Sequence, residues 1–177
     1  MRFLKPLLIG AIGVFIVILG ISLVLPGQVM TSKWVMVAAE KDTILNEIRD
    51  LSKWPEWNLL LKDVKSLEIG QKPALTDTGS RISWVDGRGA PNSLVVTGNN
   101  EKGIVTEMRV NHKNPITSGF SVEKRQADSV QVVWFIVENL RWYPWEKFYG
   151  MMAQDMKGPL MQESLEGLRR KMQEGRR

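Results

Sequence analysis

The side chains able to carry acid–base or metal chemistry are few in this chain. There is one histidine, His112, and no cysteine, so a Ser/His/Asp triad would have to use His112, and thiolate chemistry is excluded. A zinc site needs three or four nitrogen, sulfur or carboxylate ligands, which a lone histidine does not supply. Among the scattered carboxylates, Asp155 alone lies beside an apolar helical stripe, where it would act as a general base or orient a polar group of a ligand. We therefore predict no metal site and no cofactor.

Tryptophan and methionine are frequent, with seven and nine copies, and they suggest a different kind of site. Methionine is flexible and polarizable, which suits surfaces that accept apolar molecules of variable shape. On the terminal helix, apolar residues recur at helical spacing at Phe148, Met152, Met156 and Leu160, and the stripe continues a turn later with Met161, Leu165, Leu168 and Met172. Two interpretations stay open: the set packs into a core, or it lines a ligand cavity. The candidate cavity-lining residues are Trp84, Met108, Trp134, Phe148, Met152, Asp155 and Met156.

The charge of the chain gives little indication of an anionic partner. The net charge is +5, and Arg2 and Lys5 contribute two of these charges next to an apolar N-terminal run. The basic residues between Arg169 and Arg177 are not interleaved with the stacking aromatic side chains that nucleic acid favours. Cations near the end of a helix are explained by its dipole. We predict no nucleic-acid partner.

The run from Leu7 to Leu25 carries no charged residue, and at 1.5 Å per residue it reaches roughly 28 Å, close to the thickness of a bilayer core. A cleaved signal peptide has a shorter apolar region and a small-x-small site directly after it, which residues 25–28 do not supply. We therefore predict an uncleaved anchor with its linker over residues 1–30, followed by one domain over residues 31–177. Arg2 and Lys5 precede the span, so the positive-inside rule favours a single-pass inner-membrane protein with a periplasmic C-terminal domain.

The segments that must position the candidate site are mostly strands. Residues 32–39 are predicted to form a strand, and Asp42 to cap a helix whose apolar face runs from Ile44 to Leu51. Residues 144–173 form the longest helical segment, and Gly158-Pro159 predicts a kink in it. Strands joined by short turns favour an antiparallel sheet covered by this helix, which is an α+β fold. Further strands are predicted at residues 64–69, 79–85, 93–97, 103–110, 117–124 and 129–137.

Three short motifs give this pattern a familiar order. Residues 50–57 are DLSKWPEW, residues 79–84 are GSRISW and residues 163–168 are ESLEGL. The chain resembles the START-like superfamily, also called SRPBCC or helix-grip proteins, and within it the bacterial polyketide cyclase/dehydrase-type proteins that carry an N-terminal membrane segment. The resemblance implies a curved antiparallel sheet of about seven strands around the C-terminal helix, with an apolar cavity between them. Members bind lipids, sterols, polyketides or plant hormones, and a few catalyse cyclisation; no catalytic motif of the family is carried over.

These observations lead to one functional hypothesis and two alternatives. The hypothesis is a membrane-tethered domain that binds an apolar small molecule or lipid between the sheet and the terminal helix. The first alternative is a cyclase or dehydratase with Asp155 or His112 as base. The second is a protein-interaction module whose core is filled by its own side chains. A polar pair inside a cavity would favour the enzyme, and a filled core would favour the module.

Overall fold

Among the described residues, a helix and a strand are followed by three short α-helices, six consecutive strands and a long C-terminal helix. A computed structural model describes residues 4–62, 64, 66–69, 78–86, 89–111, 114–126 and 128–175; the predicted loop at residues 71–77 and His112 lie outside them. The helices are α1 (Leu4–Val24), α2 (Lys41–Arg49), α3 (Trp54–Trp57), α4 (Leu59–Lys62) and α5 (Pro144–Glu174), with a 3-10 turn at Leu51–Lys53. The strands are β1 (Gln28–Val37), β2 (Leu67–Ile69), β3 (Arg81–Val85), β4 (Pro91–Asn100), β5 (Gly103–Val110), β6 (Ile116–Gln126) and β7 (Ser129–Asn139).

The strands form one antiparallel sheet in the order β1-β7-β6-β5-β4-β3-β2. Strands β3 to β7 follow one another by short connections, which is the arrangement that antiparallel pairing permits. Strand β1 closes the sheet on the far side by pairing with β7, so α2, α3 and α4 carry the chain from one edge to the other. The predicted α+β class, with a seven-stranded antiparallel sheet and a long C-terminal helix, is confirmed.

The covered face of the sheet carries an aromatic cluster. Phe120 of β6 stacks on Trp134 of β7 with ring centroids 5.1 Å apart, and Trp54 and Trp57 approach Phe120 edge-on at 5.4 and 5.6 Å. Trp134 Nε1 donates to Ser118 Oγ at 2.8 Å, so its polar edge is satisfied within the core. The two tryptophans of the DLSKWPEW motif are therefore core residues that fasten α3 to the sheet.

Helix α2 begins two residues earlier than a cap at Asp42 would require. Its N-cap is Glu40, whose side chain makes no capping bond, and Asp42 lies in the first turn, where a carboxylate still interacts favourably with the helix dipole. The predicted apolar face is correct, since Ile44, Leu45 and Ile48 are buried. The prediction that Asp42 caps α2 is therefore wrong, whereas the predicted apolar face of α2 is confirmed.

The two halves of α5 pack differently. The second half buries Met161, Leu165 and Leu168, as the predicted stripe requires, and the helix continues through Pro159. Between residues 148 and 158 the buried positions are instead small, namely Gly150, Ala153 and Gly158. A Cβ added at Gly150 would lie 2.3 Å from Leu140 Cδ1 and 3.0 Å from Val29 Cγ2, so large side chains cannot occupy this face.

Helix α1 is the one described helix that is long and apolar enough to cross a membrane, a property that signal sequences share. Its C-terminal end is joined to the start of α5. Ser22 Oγ donates to the carbonyl oxygen of Trp142 at 2.9 Å. Lys147 Nζ donates to the carbonyl oxygens of Leu25 and Pro26 at 3.3 and 2.9 Å. These three bonds hold the end of α1 and the residues after it against the start of α5.

Candidate ligand-binding cavity

A cavity of about 750 Å³ lies between the first half of α5 and the ends of β5, β6 and β7. It forms because the small face of α5 is turned towards β1, so the helix covers the sheet edge closely and leaves space over the neighbouring strands. Helix α4 closes one side through Leu60. The cavity is partly open to the surface, and Trp145 and Tyr149 from the start of α5 form part of its wall.

The body of the cavity is apolar. Strand alternation places Met108 and Ile136 on the covered face of the sheet, where both are buried. The helix contributes Trp145, Met156 and Leu160 from the opposite side. Such a wall removes apolar ligand surface from water, and because this effect is non-directional it does not require one particular ligand orientation. The remaining apolar lining comes from Leu60, Val110, Pro115, Ile116, Leu140 and Tyr149.

Polar groups meet within the same cavity. Lys157 Nζ forms an ion pair with Glu138, and both side chains are largely covered. The same ammonium lies 5.8 Å from the centroid of the Tyr149 ring. An ammonium has three donors and a carboxylate has several acceptor positions, so the pair retains capacity for a ligand group after the two have bonded.

Arg141 and Glu146 define a second polar group on the cavity wall. The backbone N–H of Arg141 donates to Glu146 Oε2 at 2.6 Å, which fixes the first turn of α5 against the end of β7. Arg141 Nη2 donates to Asn114 Oδ1 at 3.2 Å, which joins the start of β6 to the same corner. These contacts hold the start of α5, the end of β7 and the start of β6 together at this corner of the cavity.

The structure places only some of the seven predicted cavity-lining residues in the cavity wall. Met108 and Met156 line the cavity together. Trp134 lies in the aromatic cluster, and Trp84 is buried and borders a separate depression of about 590 Å³ lined also by Arg81, Glu107 and Arg109. Phe148, Met152 and Asp155 lie on the exposed side of α5, outside the cavity lining, because the glycine and alanine face of the helix is the one that packs on β1. Asp155 therefore faces water, away from the position at which a base would meet a bound molecule.

The sequence analysis did not identify the Glu138–Lys157 pair, although the position of Glu138 on the covered face of the sheet can be inferred from the sequence. Glu138 has the same parity in β7 as Val130, Val132, Trp134 and Ile136, which are all buried. A carboxylate at the end of such a series must lie on the covered face of the sheet. Lys157 has no comparable signal, because its direction depends on which face of α5 meets the sheet.

Within the described part of the chain, no three His, Cys, Asp or Glu side chains are grouped closely enough to hold a metal ion. His112, the other candidate base, lies outside the described residues.

No family model matches the sequence, and no curated protein is significantly similar to it in sequence. Similarity to solved structures is clear in the fold. A START superfamily protein from Mycobacterium smegmatis is 24% identical, with a TM-score of 0.54 over 84% of this chain and 96% of that chain.

Two solved structures of named biosynthetic proteins are also similar. A point mutant of norcoclaurine synthase from Thalictrum flavum, in complex with a transition-state analogue, is 15% identical, with a TM-score of 0.61 over 85% of this chain and 97% of that chain. The di-domain ARO/CYC protein BexL from the BE-7585A biosynthetic pathway is 13% identical, with a TM-score of 0.59 over 80% of this chain and 45% of that chain. Together with the seven-stranded sheet and the long terminal helix, these similarities show that the chain has the START-like (SRPBCC), helix-grip fold.

Proposed function

We propose that this protein binds an apolar small molecule or lipid in the cavity between the sheet and α5, and that α1 tethers it to the membrane. The observation that carries the proposal is the cavity itself, whose volume of about 750 Å³ falls within the roughly 300–1,000 Å³ of small-molecule sites. A filled core would have favoured an interaction module, and the open space argues against that alternative.

The chemistry of the lining defines the ligand class. A ligand that buries about 300 Å² of apolar surface gains roughly 7 kcal/mol at 25 cal/mol per Å², before the costs of immobilisation. The Glu138–Lys157 pair lies on the same wall and offers a donor and an acceptor to one polar group. We therefore expect an amphipathic ligand with a large apolar body and a small polar end.

The tether follows from α1 and its flanks. The helix has the length and apolarity of a bilayer span, and Arg2 and Lys5 precede its uncharged run, which starts at Leu7. The positive-inside rule then favours an inner-membrane protein whose C-terminal domain, from residue 31 onwards, lies on the periplasmic side. A tether of this kind keeps the cavity close to molecules that partition into the membrane.

An enzymatic function is the second candidate, and the Glu138–Lys157 pair is the observation that favours it. A carboxylate and an ammonium side by side in a partly covered cavity can accept and donate a proton at one bound group. This pair replaces Asp155 as the acid–base candidate, because Asp155 faces water.

Two methionines of α5 provide a matched test of the binding site. Met152 and Met156 are exposed to nearly the same extent, at 60% and 59%, but only Met156 lines the cavity. Met156→Trp places an indole in the cavity and should weaken binding of a fluorescent fatty acid about tenfold or more, equivalent to about 1.4 kcal/mol. Met152→Trp makes the same chemical change outside the cavity and should leave the affinity unchanged.

The experiment uses the full chain in detergent, with fluorescence titration for affinity and native mass spectrometry for any ligand retained from the host. Equal affinities for both variants and the unsubstituted protein would place binding elsewhere, and no uptake of the probe by any of them would contradict the proposal. Recovery of an added ligand in chemically altered form, abolished by Glu138→Gln, would favour the enzyme over the binding protein.

A further inference from the structure

A group of exposed apolar side chains surrounds the place where α1 meets α5. Trp142 and Trp145 are exposed by 62% and 63%, and Met151 and Met152 by 55% and 60%. Phe148 lies between them on the same side of the helix. The spacing of 145, 148 and 152 puts these three side chains on one face. This group, Trp142, Trp145, Phe148, Met151 and Met152, is called the α5 apolar patch below.

The position of the patch relative to α1 is fixed by hydrogen bonds. Ser22 is buried and donates to the carbonyl oxygen of Trp142. Lys147 is buried as well, and its ammonium binds the carbonyl oxygens of Leu25 and Pro26. The linker is held from the other side, because the N–H of Leu140 donates to the carbonyl oxygen of Gly27 at 2.8 Å. The start of α5 therefore cannot lie far from the end of α1.

The length of α1 then sets the depth of the patch. The 20 residues of α1 from Lys5 to Val24 reach about 30 Å at 1.5 Å per residue, which matches the hydrocarbon thickness of a bilayer. When α1 spans the membrane, its last residues lie at the boundary between acyl chains and headgroups. Ser22 is about 3 Å along the helix axis from Val24, so Trp142, which is bonded to Ser22, lies at that boundary too.

We propose that the α5 apolar patch is a membrane-contact surface that lies in the headgroup region of the leaflet from which α1 emerges. Tryptophan is the residue type most favoured at this depth, because its ring is apolar and its N–H can bond to headgroups and water. A second copy of the chain or another protein can also cover an apolar surface. The bilayer is the occupant we argue for, since the hydrogen bonds to α1 bring it to the patch.

This arrangement has a consequence for the cavity. Trp145 belongs to both the patch and the cavity wall, and Tyr149, one turn later, also lines the cavity. This part of the cavity wall is therefore held against the membrane, and an apolar ligand would exchange with the lipid phase there. The inference rests on the proposed membrane tether, although it is independent of which ligand is bound.

Tryptophan fluorescence offers a direct test with an internal control. Trp34 of β1 is exposed by 55%, but it lies on the sheet face away from α5, since its neighbours Lys33 and Val35 have the opposite parity. It is six residues from the start of β1, or about 20 Å along the strand. Trp34 is thus an exposed tryptophan outside the proposed contact.

The full chain is reconstituted into phosphatidylcholine vesicles whose acyl chains are brominated near the glycerol. Trp142→Phe/Trp145→Phe should remove most of the emission that the brominated lipid quenches, whereas Trp34→Phe should leave that fraction unchanged. Aqueous iodide should show the reverse pattern, with the loss of quenching falling on Trp34→Phe.

Intact mass and carbonate extraction of the same samples report the tether separately. If α1 is retained in the membrane and Trp142 and Trp145 are quenched by iodide and not by lipid, the patch faces water and this inference is overturned while the tether stands. A stable dimer with both tryptophans shielded from lipid and iodide would assign the patch to a second copy and overturn it as well. Loss of α1 from the mature protein would instead overturn the tether.

Discussion

The buried carboxylate of Glu47 joins α2 to the last turns of α5. Lys171 Nζ forms an ion pair with Glu47 and a second one with Glu56 at 2.6 Å. Burial alone would lower the pKa of the Lys171 ammonium, but its hydrogen bonds to Glu47 and Glu56 and the charges of both carboxylates outweigh burial and raise that pKa above its ordinary value. The C-terminal basic residues were explained from the sequence by the helix dipole; the structure gives Lys171 the more specific role of neutralising Glu47.

Lys171→Met leaves Glu47 buried, with Lys53 at 3.8 Å as its nearest remaining cation among the described ion pairs. We expect a loss of about 1–2 kcal/mol in the free energy of unfolding at pH 8, less than for a fully buried pair because Lys171 is partly exposed. Arg170→Met removes an exposed cation from the same turn and should cost far less. Urea unfolding of the two variants measures the difference, and equal losses would show that Lys171 acts only through net charge.

The pH dependence of the same pair has a definite sign. Because the folded-state pKa of Lys171 is raised, its contribution is complete below the unfolded value of 10.5 and is lost as the pH rises through the higher folded value. The stability difference between the unsubstituted protein and Lys171→Met should therefore be constant from pH 8 to about pH 10 and shrink above it. A difference that instead shrinks near neutral pH would contradict this assignment.

Helix α5 shows what residue spacing can and cannot decide about an element. Its extent was predicted almost to the residue, and Met161, Leu165 and Leu168 are buried as expected. In the first half apolar residues occupy more than one side, so periodicity alone does not choose the face that packs. The choice is made by Gly150 and Ala153, whose small size allows close approach to β1, a property that a count of apolar residues overlooks.

Helix α5 lies very close to the backbone of α3 at Gly167. A Cβ added there would lie 2.8 Å from the carbonyl oxygen of Trp57, which is a backbone atom of α3 and cannot turn aside. Gly167→Ala should therefore destabilise the protein by about 1–2 kcal/mol, even though alanine has the better helix propensity.

Gly98→Ala makes the same change in β4, where the added Cβ meets Val105 side-chain atoms at 3.6 and 3.9 Å, ordinary contact distances. This variant should change the free energy of unfolding by less than about 0.5 kcal/mol. Thermal or urea unfolding compares the two, and a Gly167→Ala protein as stable as the unsubstituted one would show that α3 moves freely relative to α5.

At the scale of the whole molecule, the fold class and the approximate number of strands could be predicted from the sequence and its family resemblance, whereas the order of the strands in the sheet was not predicted. Alternation and turn residues predicted β5 at its observed bounds and the other strands to within a few residues. The helix-grip arrangement came from the resemblance carried by three motifs. The resemblance also implied a cavity, but its lining did not follow from the sequence. The lining depends on how closely α5 approaches β1 along its length, and that distance is set by contacts between segments more than one hundred residues apart in the chain.

The sequence predicted the boundary between α1 and the following domain only approximately. A linker was expected up to residue 30, yet β1 starts at Gln28, and the pairs Gln28–Asn139, Val29–Glu138 and Met30–Val137 extend its ladder with β7. Val29 also packs against α5 beside Gly150. The connection between α1 and the sheet is thus three residues long, from Leu25 to Gly27, which is why α1 and the sheet are held so close.

Two shortened chains test this boundary. A chain that begins at Gln28 keeps the whole of β1, whereas one that begins at Thr31 loses three ladder positions and the contact of Val29 with α5. Lost backbone hydrogen bonds and apolar burial should make the shorter chain less stable by about 1–3 kcal/mol, with hydrogen exchange first accelerating in residues 137–139 of β7. If the two chains unfold at the same urea concentration and protect β7 equally, residues 28–30 belong to the linker, and the strand that fixes the domain beside α1 begins only at Thr31.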